Sequence, residues 1–228
     1  MVPRELIDVA PVPGGEELRL YRRGGDFMVV LDRNELMSSR MSGSEETLAT
    51  MTLARLGAGA EGRAAAARLL IGGYGMGFTL RAALLSLGPA ARVTVAELVP
   101  QIIDWARGPM AALTAGCLDD TRVSLAIEDV GAVIAGTRGQ WDAILLDVDN
   151  GPDGLTRLGN DRLYAAPGLA AARAALTPGG ILAVWSAAPD RAFARRLGEA
   201  GFLVEEVQVA ARSNGKGPRH TIWFAFRR

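Results

Sequence analysis

From Glu17 to Ser38 apolar and polar positions alternate, "ELRLYRRGGDFMVVLDRNELMS", with Gly24-Gly25 where a tight turn falls. The pattern predicts a small antiparallel β unit. Ser44, then Glu46 and Thr47, then "LATMTLARL" predict a capped helix ending near Gly57, and "GAGAEG" reads as a linker. Residues 1–60 are expected to form a small N-terminal β-hairpin unit with one helix, and residues 61–228 the main domain. Beyond the linker, short runs rich in Val, Ile and Leu ("ARLLIGG", "ARVTVAEL", "TRVSLAIED", "WDAILLDVD", "GGILAVWS") alternate with helical stretches such as "GFTLRAALLSLG" and "DRAFARRLGEA". Strands of that kind separated by helices predict an α/β fold, a Rossmann-like sheet of mostly parallel strands covered on both faces. The ending differs. "FLVEEVQVAA" and "HTIWFAFRR" follow each other across the turn-rich "RSNGKGP", which predicts a C-terminal antiparallel hairpin and a total of seven strands.

Composition narrows the function classes. Lys+Arg and Asp+Glu are both 25, so no net field draws the chain to nucleic acid or to an anionic membrane. Cys117 is the single cysteine and His220 the single histidine, which removes an intrachain disulfide, a thiolate metal cluster and histidine-based metal ligation; no metal is expected. The opening "MVPRELIDVAPVPGG" lacks the apolar core of a signal peptide and no uncharged run of about 18 apolar residues occurs, so a cytoplasmic location is expected.

The chemistry gathers where the first strand of the alternating region breaks into Gly72, Gly73, Gly75 and Gly77 and a helix follows. Glycines there admit positive φ and the close approach of a ligand to free N–H groups. A dinucleotide fingerprint counted from Gly73 needs a third glycine where Phe78 stands, so a pyrophosphate is not expected. The next strand ends at Glu97, placed to accept from ribose hydroxyls, and the third at Glu128-Asp129, placed near an adenine edge. With Gly73, Gly75, Gly77 and Asp147 at the fourth strand end, these describe an adenosyl pocket. Together with the terminal hairpin, the set looks like the class I fold of S-adenosylmethionine-dependent transferases.

From residue 69 to 185 the chain resembles spermidine synthases, on Asp147, Gly151-Pro152, Leu163-Tyr164 and "LTPGG". The resemblance implies a transferase that moves an aminopropyl-type group from decarboxylated S-adenosylmethionine to a small-molecule amine acceptor, without a metal, as a homodimer built through the N-terminal unit. It implies Asp147 and Asp149 as the catalytic acids. Asn150, Tyr164 and Trp185 are candidate acceptor contacts, and the loop 150–161 a candidate lid. Two features depart from the family. Its glycine-loop aspartate is absent, the loop reading Tyr74, Gly75, Met76, and its Tyr-His-Glu segment is replaced by "SGSEETLATMTLAR", where Glu45 and Glu46 could serve an amine but read first as solvated acids of a first helical turn. Arg81 is expected to pair with an acid. A neutral loop keeps a second reading open, a methyltransferase using S-adenosylmethionine itself, and a third is a non-catalytic adenosyl-binding protein.

Overall fold

The computed structural model describes residues 2–14, 17–57, 62–148 and 161–228. Four strands open the chain as an antiparallel meander: β1 (Glu5–Pro11), β2 (Glu17–Arg23), β3 (Asp26–Leu31) and β4 (Asn34–Ser38). The β2–β3 turn is at Gly24-Gly25, as the alternation predicts, with Gly24 at φ 62°. The unit is larger than one hairpin because β1 joins it. That strand turns only Ala10 fully inward, so its own pattern carries little strand signal.

Helix α1 (Gly43–Leu56) ends on Gly57 in the left-handed conformation, as expected. Its start differs from the sequence expectation. Ser44 does not cap the helix; it lies one residue inside, and its hydroxyl meets His220 Nδ1 at 2.9 Å. Gly43 donates its N–H to Ala211 O at 3.0 Å, and a Cβ on it would lie 2.3 Å from the Arg212 carbonyl carbon, so only glycine fits this crossing.

The main body follows as β5 (Arg68–Gly72), α2 (Phe78–Ser86), β6 (Arg92–Glu97), α3 (Pro100–Arg107), α4 (Ala111–Thr114), β7 (Val123–Ile127), α5 (Val130–Ala135) and β8 (Trp141–Leu146). Then come α6 (Asp161–Tyr164), α7 (Ala166–Ala175), β9 (Leu176–Ser186), α8 (Arg191–Glu199), β10 (Phe202–Ala210) and β11 (Arg219–Arg227). The sheet order is β10-β11-β9-β8-β5-β6-β7, with β5 to β9 parallel and β11 antiparallel to both its neighbours. This is the seven-stranded, mostly parallel sheet with a C-terminal hairpin that the sequence predicts.

Alternate side chains face opposite layers. Leu69, Ile71, Val93, Val95, Ala143 and Leu145 join one apolar cluster with α1 and α2, and that cluster continues into Leu18, Leu20 and Leu31 of the small sheet. Leu70, Ile144, Leu146, Leu182 and Val184 join the other, against α7 and α8. Because β6 lies on one side of β5 and β8 on the other, the chain reverses its direction of winding there, and a crevice opens at the carboxyl ends of these strands. Among the described residues no helix is long and apolar enough to cross a membrane.

Candidate active site at the carboxyl edge of the sheet

Gly72 stands opposite Ala96 on β6 and Leu146 on β8, so the residues that follow each strand emerge side by side. The loop after β5 is tied to both neighbours: Gly73 N–H donates to Ala96 O at 2.9 Å, and Asp147 N–H donates to Gly72 O at 3.1 Å. Gly73, Gly75 and Gly77 take φ of 83°, 56° and 78°, in the left-handed region. A Cβ on Gly73 would lie 2.6 Å from Asp147 O.

Glu97 is 5% exposed, and both its oxygens bind backbone: Oε2 accepts from Tyr74 N–H and Oε1 from Val99 N–H, each at 2.9 Å. Burial pushes its carboxyl upward, and these N–H groups pull against that shift. The residue therefore clamps the glycine loop while still lining the crevice. Asp129 caps α5, accepting from Ala132 N–H at 3.1 Å.

Two cavities meet here. The larger, about 800 Å³ with its open mouth, is lined by Gly73, Gly75, Glu97, Glu128, Asp129 and Asp147, with Leu18, Leu31, Leu36 and Met37 of the small sheet as its roof. Gly77 is not part of this lining; it packs on the Tyr74 phenol instead. The second, about 400 Å³, is a more enclosed recess lined by Leu36, Met37, Glu45, Tyr74, Gly75, Met76, Phe78, Asp147 and Trp185.

Asp147 lines both cavities, where Thr79 Oγ1 donates to its Oδ2 at 2.7 Å. Burial pushes its carboxyl up to about 6, with the Thr79 hydroxyl opposing. Glu45 is not a solvated acid. Its carboxyl faces the recess, and burial first, then the charges of Asp147 and Glu46, push it well above the usual carboxylate range. Glu45 Oε2 and Trp185 Nε1 are buried with no hydrogen-bond partner among the described residues.

The remaining expectations divide. Tyr164 is 2% exposed, its ring packs edge-on against Phe193 with centroids 5.6 Å apart, and it is absent from the described lining of both cavities. Arg81 pairs with no acid among the described residues and instead donates to Leu113 O at 2.6 Å. Trp141 and Trp223 pack in the core, bonding Thr137 Oγ1 and Glu206 Oε2. Asp149, Asn150 and the loop 150–160 lie outside the described residues. Glu45 was legible only as the lesser of two readings, an acid that could serve an amine, and Thr79, Leu36 and Met37 carry no sequence signal as cavity residues. Their roles arise from the way α1 and β4 cross the sheet edge, which no local pattern encodes.

A family model described as the spermine/spermidine synthase domain matches residues 48–190. Polyamine aminopropyltransferases of Mycobacterium tuberculosis and Mycobacterium bovis are 31% identical over 177 residues, covering 76% of this chain and 31% of theirs. The chain thus spans about a third of the length of those relatives. A spermidine synthase from Thermotoga maritima superposes with a TM-score of 0.77 at 17% identity, over 98% of this chain and 73% of that one. A spermidine synthase in complex with the transition state analogue AdoDATO gives 0.76 at 17% identity, with the same coverage of 98% and 73%. These structural likenesses establish the fold.

Proposed function

Because the chain belongs to the spermine/spermidine synthase family, we propose that it is a transferase that moves an aminopropyl-type group from decarboxylated S-adenosylmethionine to a small-molecule amine. The observation that carries this reading is Asp147, a carboxylate at the junction of an adenosyl-sized cavity and an acid-ended recess. In this reading Glu97 accepts from the ribose hydroxyls, Glu128 and Asp129 face the adenine edge, and the backbone of Gly73 and Gly75 lets the donor lie close to the chain. That a spermidine synthase of this fold takes AdoDATO supports the assignment.

The donor sulfonium is already activated, so the site has to align a nucleophile and exclude water. The neutral amine's lone pair attacks the methylene carbon next to sulfur. The carbon–sulfur bond breaks with its electrons going to sulfur, and methylthioadenosine leaves uncharged. The nitrogen, now cationic, gives its proton to Asp147, directly or through water. Asp149 and Asn150 are proposed to draw and hold the acceptor, and Trp185 to wall its site. A homodimer and a cytoplasmic location belong to the same reading.

Met76 favours a second reading, because a neutral glycine loop accepts an amino acid's carboxylate more readily than an acidic one would, as methyl transfer from S-adenosylmethionine requires. The acids in the recess count against it. Product analysis separates the two: methylthioadenosine is expected, and S-adenosylhomocysteine would replace the first reading by the second.

A further inference from the structure

A recess of about 400 Å³ opens off the adenosyl cavity, and its chemistry is one-sided. Its walls are apolar at Leu36, Met37, Met76 and Phe78, while its polar groups are Glu45, Asp147 and the Trp185 indole. No Lys or Arg is among its described lining residues, so its two acids face each other with no cation between them. Two buried polar atoms there lack a partner among the described residues, Glu45 Oε2 and the N–H of Trp185, a side chain only 8% exposed. Buried polar groups are nearly always satisfied, so both mark a site that a ligand completes. Burial pushes both carboxyls upward, and the charge of Asp147 adds to the rise at Glu45, so two uncompensated charges in this recess are costly. One ammonium on a short alkyl chain is the group that relieves that cost.

We propose that Glu45 is the donor-selecting residue of this chain: with Asp147 it receives the terminal ammonium of the transferable chain, and it repels a donor that keeps a carboxylate beside that amine. The inference rests on the aminopropyl reading and assigns its selectivity to α1, since the glycine loop offers only Tyr74, Gly75 and Met76 to this wall, none of them charged at neutral pH. An ammonium bound beside the two acids favours their charged forms, so near pH 6, where Asp147 is part protonated, protons leave as the donor enters.

Calorimetry with decarboxylated S-adenosylmethionine, S-adenosylmethionine and methylthioadenosine tests this on the wild type and on Glu45→Gln. The wild type is expected to prefer the decarboxylated donor, and the variant to lose roughly tenfold or more of that preference, the scale of losing one charged partner in a closed site. Methylthioadenosine, which has no ammonium, should bind both proteins equally, which also reports that the variant is folded. A preference kept in full by Glu45→Gln overturns the role of Glu45 alone; a wild type that prefers S-adenosylmethionine overturns the aminopropyl reading with it. A second measurement needs no variant. Titrations of the wild type near pH 6 in two buffers of different ionisation enthalpy should reveal proton release with the decarboxylated donor and none with methylthioadenosine, and equal enthalpies in both buffers for the decarboxylated donor contradict the proposal.

Discussion

Asp147 is pulled two ways: burial makes its charged form costly, and the Thr79 hydroxyl holds that form in place. If it serves as the proton acceptor, only its ionised form works, so kcat/KM should rise with pH through about 6 and level off above. Thr79→Val removes the opposing bond and should move that acidic limb upward, which a pH–rate profile reads directly. Asp147→Asn should lower kcat by about 10² to 10⁴, the usual scale for a general base, and leave methylthioadenosine affinity intact. Stability follows with the opposite sign. The carboxyl titrates near 3.8 when exposed and near 6 when folded, so its contribution is full below the first value and lost as pH rises through the second. Thermal melts of the ligand-free protein between pH 4 and 7 should therefore show a decline that Asp147→Asn flattens, and an unchanged decline in the variant would assign it to other groups.

At the scale of elements, the parallel strands, the glycine loop and the terminal hairpin were legible in the sequence because each carries its own signal: continuous apolar runs, glycines at a strand end, and two strand-like runs across a turn. What was not legible depends on crossings. Strand β1 buries too little to alternate, and Glu45 reads as an ordinary first-turn acid until the crossing of α1 places it over Asp147. Gly43 fixes that crossing. Gly43→Ala puts a Cβ against the Arg212 backbone and should cost about 1 to 3 kcal/mol by overpacking, seen as a lower Tm. Because the same contact positions Glu45, affinity for the decarboxylated donor should fall with it, while a tolerated alanine with unchanged affinity would separate the helix start from the site.

Over the whole molecule, one apolar cluster runs from the small sheet through α1 into the large one, so the roof of the larger cavity and its floor are packed as a unit. The outer strand β1 leaves Leu6 and Val9 half-exposed, which supports pairing of two copies through the small sheet. Sedimentation at twice the mass of one chain is expected, with Leu6→Glu shifting the protein toward the single chain, and a wild type that sediments as one chain would remove the dimer from the proposal. The central claim concerns what leaves the site. Incubating the protein with decarboxylated S-adenosylmethionine and a panel of small diamines, then identifying products by mass, should yield methylthioadenosine together with an amine heavier by one aminopropyl group. An intact donor throughout, alongside S-adenosylhomocysteine formed from S-adenosylmethionine, would contradict it.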